Sequence, residues 1–294
     1  MRVASLLPSA TEIVYALGLQ EHLVAVTFEC DEPASARTDH AVVVSGVDTT
    51  SMTPAEIDAY VRERRAAGED LYTLHEDALA PLAPTIVLTQ DLCRVCALPT
   101  ERVNVALAHL GCSADVVTLD PHRLDDVLAD IGTVAAACGV TPRGEQVVAE
   151  LRLRLATVSA AVAGRARPRT AVVEWVDPLF EGGHWIPDLV EAAGGEVVGG
   201  HRGRASGPSD WSDLRALDPE VVLVAPCGYG LDGAAEQASI VREQLPGTQV
   251  WAIDGDAVVV RPGPRLVDGV EAIASVLHPD AVPASGHVRR IAPD

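Results

Sequence analysis

The residues of this chain best suited to metal chemistry are three thiols and one imidazole. Cys93-Arg94-Val95-Cys96 is a C-x-x-C on a polar stretch that follows an apolar run, and Cys30 follows another such run. Three converging thiolates suit tetrahedral zinc or an iron–sulfur cluster, with His184, Glu29 or Cys227 as the further ligand. The same thiols also fit two blander readings, small packing residues or a redox pair. The helix after the motif starts near Pro99, too late to depress the pKa of Cys93 as a thioredoxin-like site would. Cys112 and Cys138 sit at apolar helix ends and read as core.

A second group of residues suits a flat ligand. The chain holds only 4 Trp, 4 Tyr and 2 Phe. Trp175, Phe180, Trp185 and Tyr229 all fall near strand ends in the second half, where broad aromatic surface could cover a macrocycle. Trp185, between His184 and Ile186 on a loop entering a helix, is expected to be exposed. His184 could ligate cobalt or iron, hydrogen-bond a ligand side group, or simply precede the helix. Glu174, Asp177 and Glu181 could bind ligand amides or hold a loop. The Gly-rich GGHRGRASG stretch could carry Arg202 and Arg204 to an anionic group.

Catalytic templates are absent. There is no G-x-S-x-G, H-E-x-x-H or G-x-x-x-x-G-K in the sequence. All 22 Lys+Arg residues are Arg, which removes Schiff-base and P-loop lysines. No catalytic residue is assigned. A metal with His184 and Glu174 would suffice for hydrolysis, so a metal- or iron–sulfur-containing protein, with enzymatic activity left open, stands as the alternative to a binding protein.

The elements that would position these residues alternate between strand and helix. Apolar runs predict strands over 3–7, 23–27, 71–74, 85–89 and 115–119. In the second half they fall at 171–175, 196–198, 221–225 and 249–253, with 257–260 as an extra edge. Helices are expected between most of them, at 10–16, 54–67, 76–82, 100–110, 124–137, 186–193, 211–217, 234–244 and 264–277. This predicts an α/β fold of two lobes, with mostly parallel sheets covered by helices. Val148, Leu151, Leu155, Val158 and Val162, spaced 3, 4, 3, 4, predict one long helix joining the lobes. The boundaries expected are 1–120 for the first lobe, 121–167 for the connecting helical segment and 168–294 for the second lobe. The tail after His278 reads as loosely held.

In parallel sheets ligands bind at the carboxyl ends of strands, so a ligand cleft is expected between the lobes. Pro8, Ser9, Phe28, Glu29 and Gln90 would line it from the first lobe. Glu174, Trp175, Asp177, Phe180, His184, Trp185 and Tyr229 would line it from the second. A metal, if bound, would take Cys30, Cys93, Cys96 and His184. The formal charge of −20 excludes nucleic acid as a partner, which needs a basic surface. No run approaches the ~20 apolar residues of a membrane span. No export signal is visible before the first strand, so a cytoplasmic location is expected.

Several stretches resemble a known family. The opening RVASLLPSATEIVYALGL is similar to that of helical-backbone (class III) substrate-binding proteins, the helical-backbone metal receptors of ABC transporters. TQDLCRVCALP and EWVDPLFEGGHWIPDLVEAAGG resemble the cobalamin-binding sub-group, similar to the vitamin B12 transporter binding subunit. The resemblance covers about residues 1–280. It implies a cobalamin or related corrinoid, or a similar metal chelate, as ligand. In the family an acidic residue on each lobe docks onto the permease, and Glu101 matches the first of these by context.

Overall fold

A computed structural model describes residues 1–49, 51–92 and 100–292. The chain divides into two units, one of residues 1–121 with 126–149, the other of 122–125 with 150–294. The first unit carries, in order, β1 (Val3–Ser5), α1 (Pro8–Ala16), β2 (Leu23–Thr27), α2 (Ala36–Asp39), β3 (Ala41–Gly46), α3 (Pro54–Ala66), β4 (Tyr72–Leu74), α4 (Glu76–Leu79), β5 (Ile86–Gln90), α5 (Thr100–His109) and β6 (Asp115–Leu119). Two helices follow, α6 (Leu124–Ala137) and α7 (Thr141–Val162).

The strands of the first unit form a six-stranded sheet in the order β4-β3-β2-β1-β5-β6, antiparallel only between β3 and β4. β1 is at its centre, and Val3, Ala4 and Ser5 are wholly buried. That fits a strand covered on both faces. α1 starts directly after β1 because Pro8 supplies a preset φ at the first helical turn. It stops where Gly18 takes φ +75°, a conformation that glycine accepts without steric cost.

The expected connecting helix is present as α7, unbroken over its 22 residues, and the division between the units falls within it. Of the expected stripe Leu151 and Val158 are buried and Val148, Leu155 and Val162 half-buried, while Val147, outside the stripe, is buried as well. In the first unit α6 and α7 approach closely at Gly144, where a Cβ would lie 2.4 Å from the Ala135 Cβ. Gly144→Ala gains up to about 1 kcal/mol of helix propensity but must push two packed helices apart, at about 1–3 kcal/mol. A net loss of about 1 kcal/mol is expected in urea unfolding; a stabilised variant would contradict this packing.

The second unit carries β7 (Arg169–Val176), β8 (Leu179–Glu181), β9 (Gly183–His184), α8 (Ile186–Ala192), β10 (Glu196–Val197), β11 (His201–Arg202), β12 (Gly207–Pro208), α9 (Trp211–Ala216), β13 (Val221–Val224), α10 (Leu231–Gln244), β14 (Gln249–Ile253), α11 (Gly255–Val258), α12 (Leu266–Leu277) and β15 (Val288–Arg290). Its main sheet runs β12-β8-β7-β13-β14-β15, with β10 also paired to β7. β7, β13 and β14 are parallel, and β8 and β15 are antiparallel additions. One core joins Val173, Val222, Val224, Val250 and Ala252 to Ala234, Ala238 and Val241 of α10. The fold is therefore α/β with helix-covered sheets, as the sequence implied.

Two expectations about elements are corrected, and one strand, β3, falls where none was expected. The extra edge expected at 257–260 is not a strand: Asp254 Oδ1 accepts the Ala257 N–H at 3.1 Å and winds this stretch into α11. The edge is β15 instead, from the tail expected to be loose. That tail is tied down because Asp254 N donates to His287 O at 2.9 Å and Ile291 N donates to Val250 O at 3.0 Å.

Candidate functional site

The carboxyl ends of the parallel strands carry most of the candidate residues in each unit. In the first unit Pro8 and Ser9 open α1 directly after β1. Phe28 and Glu29 follow β2, and Gln90, 4% exposed, ends β5. Phe28 packs at 6.1 Å, ring centre to ring centre, from Tyr72 of β4. The Tyr72 hydroxyl donates to Glu29 Oε1 at 3.4 Å and so orients that carboxylate. A Cβ at Gly46 would sit 2.7 Å from the Phe28 ring, so the glycine is what lets this ring lie over β3. Neither Tyr72 nor Gly46 stood out in the sequence. The signal for Tyr72 was an aromatic residue inside a predicted strand, but its neighbours depend on β3.

Cys30 also follows β2 and is fully buried. Its sulfur accepts from the Thr11 hydroxyl at 3.0 Å and the Thr27 N–H at 3.4 Å, and the Thr27 hydroxyl lies 3.3 Å away. These contacts hold the thiol inside the first unit. Cys93 and Cys96 lie outside the described residues. Among the described residues no group of three or more His, Cys, Asp or Glu side chains could hold a metal ion. Cys138 is buried, and burial pushes its thiol pKa up, as expected of a packing residue.

In the second unit Trp175 ends β7 beside Tyr229, which follows β13, with ring centres 5.8 Å apart and planes inclined at 59°. The Trp175 indole N–H donates to the Asp177 carbonyl at 3.0 Å. Tyr229 is seated on Gly233, where a Cβ would come within 2.6 Å of its ring. Burial, then the nearby Glu236 carboxylate, raises its phenol pKa, so the hydroxyl stays protonated. Asp254 and Asp256 follow β14 at the same end of the sheet. Asp256 takes two hydrogen bonds from Arg261, at 3.1 and 2.5 Å. His287 lies 3.8 Å from Asp254.

Other candidates in this unit serve its loops. Glu174 Oε2 accepts the Gly183 N–H at 3.0 Å. Glu181, 8% exposed, accepts from Gly200 N at 2.5 Å and from the Ser209 hydroxyl at 2.6 Å. Phe180 lies on β8, paired with Trp175 on one side and Pro208 on the other. His184 takes φ +47° and pairs with the 201–204 segment rather than standing beyond a strand end. Its ring stacks on Trp185 at 5.5 Å and lies 5.9 Å from His122.

Trp185 is not exposed, contrary to expectation. It is 4% accessible, and its indole N–H donates to the Val259 carbonyl at 2.8 Å, a buried hydrogen bond to a residue 74 positions away. Arg202, expected as a candidate for an anionic group, is instead paired with carboxylates of α8. It donates to Asp188 Oδ1 at 3.0 Å and to Glu191 Oε2 at 2.7 Å, and its other terminal nitrogen also meets Glu191.

Comparison with known proteins gives a consistent result. A family model described as periplasmic binding protein matches residues 3–253. The uncharacterized ABC transporter substrate-binding lipoprotein YvrC of Bacillus subtilis (strain 168) is 22% identical over 292 residues, 95% of this chain and 80% of that protein. Among solved structures, a periplasmic heme binding protein from Pseudomonas aeruginosa superposes with a TM-score of 0.70 at 21% identity, covering 99% of this chain and 98% of the other. The periplasmic vitamin B12 binding protein BtuF of Vibrio cholerae gives 0.67 at 21% identity, with 94% and 96% covered. These superpositions establish the fold. The expectation of a cytoplasmic location is overturned: the matching family is one of periplasmic binding proteins and the Bacillus relative is a lipoprotein. Among the described residues no helix is long and apolar enough to cross a membrane.

Proposed function

The chain belongs to the periplasmic binding protein family, and on that premise we propose that it captures a tetrapyrrole-sized metal chelate, a corrinoid first among them, and delivers it to an ABC transporter permease. Membership makes it a substrate-binding protein; the ligand is the step beyond. The observation that carries the reading is the Trp175–Tyr229 pair at the carboxyl ends of β7 and β13. Two large rings at a strand-end face supply apolar area for a flat macrocycle, with one protonated hydroxyl to fix its rim. Phe28 and Tyr72 give the first unit a comparable aromatic pair at its own strand ends.

The structural relatives support this class of ligand, since their own names are those of heme- and vitamin B12-binding proteins. Pro8, Ser9, Glu29, Gln90 and Asp177 complete the proposed contacts. Glu101, opening α5, is proposed as a permease-docking carboxylate.

The test is quenching of tryptophan fluorescence by cyanocobalamin, comparing the natural chain with Trp175→Ala. Loss of one stacked ring is expected to weaken binding by about 1.4 kcal/mol, or roughly tenfold. The unfolding midpoint should stay nearly unchanged. Equal affinity in the two proteins would remove Trp175 from the site.

A further inference from the structure

The first unit carries a helix that buries none of its own residues. All 13 residues of α3 are half-buried or exposed, whereas α1 in the same unit buries six of its nine. Isolated helices shorter than about 12–15 residues are marginal in water, and α3 draws support from the chain around it. Thr53 and Glu56 form a capping box: the Glu56 carboxylate accepts the Thr53 N–H at 2.8 Å, and the Thr53 hydroxyl oxygen accepts the Glu56 N–H at 3.3 Å. Asp58 pairs with Arg62 one turn on, at 2.8 Å. Arg64 donates to the Asp70 carbonyl at 2.9 Å and meets Glu69 at 2.6 Å. Every group in these contacts belongs to residues 53–70.

The chain leaves β3 at Gly46 and re-enters the sheet at Tyr72, and these two residues are paired across the β3–β4 ladder. The Phe28 ring packs against both. The excursion that carries α3 therefore begins and ends at the aromatic pair of the first unit. Its return passes through Gly68, whose φ of +71° favours glycine. Asp70 then meets Arg102 of α5 at 2.7 Å, but the Arg102 side chain is 64% exposed, so this tie is a weak one. Ile57, Tyr60 and Val61, at i, i+3 and i+4, place apolar side chains on one face of α3, each half-buried.

Few buried contacts and locally closed hydrogen bonds mark a segment that opens ahead of the global fold. We propose that residues 53–70 are a lid on the Phe28–Tyr72 pair. They open while the sheet stays folded, and a ligand reaching the pair holds them shut by completing the burial of the apolar face of α3; the closing step rests on the function proposed above.

Hydrogen exchange of the full chain, read by mass spectrometry on peptides from α3, β1 and β5, tests the lid. In the free protein the α3 amides are expected to be at least about 100-fold less protected than those of the two strands. Thr53→Ala, which removes the cap, should speed α3 roughly fivefold and leave β1 and β5 unchanged. Cyanocobalamin at about ten times its Kd should slow α3 roughly tenfold. Protection of α3 equal to that of β1, or a Thr53→Ala effect spread equally over α3 and the strands, would overturn the lid. Retention of cyanocobalamin on dialysis with no slowing of α3 would overturn it too and leave the corrinoid reading standing. If cyanocobalamin, dicyanocobinamide and haemin all fail to be retained, the proposed function falls and the ligand-held lid with it.

Discussion

Asp188→Ala is expected to lower the free energy of unfolding by about 2 kcal/mol, because one carboxylate there accepts from four donor nitrogens of three residues. Arg123 grips it through two nitrogens, at 2.7 and 2.9 Å. The Leu124 N–H donates to it at 3.1 Å, and Arg202 at 3.0 Å. The side chain is only 12% exposed, so its removal strips the Leu124 N–H and Arg123 of this acceptor and leaves Arg202 held by Glu191 alone. The consequence is wider than one helix. Asp188 ties the 122–125 stretch to the second unit and closes the 201–204 segment over α8. Denaturation followed by tryptophan fluorescence reads it directly, since the Asp188 N–H itself donates to the Trp185 carbonyl at 2.8 Å. Asp188→Asn, which keeps one acceptor and loses the charge, should fall between the two. A loss under about 1 kcal/mol in the alanine variant would show that these ion pairs behave as solvated surface pairs.

Asp130→Asn should do the reverse and stabilise the protein, but only towards alkaline pH. Asp130 sits on α6 with its Oδ2 buried and without a hydrogen-bond partner. Burial, followed by the charges of Asp126 and Asp120, pushes its pKa up to about 7 from the usual 3.8. The native state therefore holds a proton that the unfolded chain has already released. Its relative stability falls as pH rises from the unfolded to the native value, and the loss is complete above about 7. Discounted for the part of this side chain that water reaches, the cost at pH ~8 is about 2 kcal/mol. Asparagine mimics the neutral acid, so wild type and variant should be equally stable near pH ~4 and separate through the neutral range. A pH-independent difference would show that Asp130 ionises normally.

How much of this was legible in the sequence depended on whether the cause was local. The α7 stripe was legible because 3, 4 spacing is a property of the chain itself, and Leu151 and Val158 are buried as that spacing requires. Trp175 and Tyr229 were legible because the strand-end rule needs only strand positions. β3 was not, since its apolar run is short and no glycine or proline marks its start. β15 was not either: Val288-Arg289-Arg290 has no apolar alternation, and it is a strand because β14 offers it an unpaired edge. Trp185 was misread for a similar reason. Its place on a loop entering a helix suggested exposure, while its partner, Val259, comes from a different part of the chain. The roles of Glu174 and Glu181 were half legible: a carboxylate cluster was visible, but only the fold shows that they hold backbone N–H groups of loops. Location was misjudged because the start of the sequence was read as evidence, and family membership corrects it.

Equilibrium dialysis of the full chain against cyanocobalamin tests the central claim most directly, since it counts bound ligand with no reporter group. The account predicts saturable retention approaching one corrinoid per chain, with an affinity in the micromolar range or tighter, reduced about tenfold in Trp175→Ala. No retention above the protein-free control, by a folded chain that also fails to retain dicyanocobinamide and haemin, would contradict it.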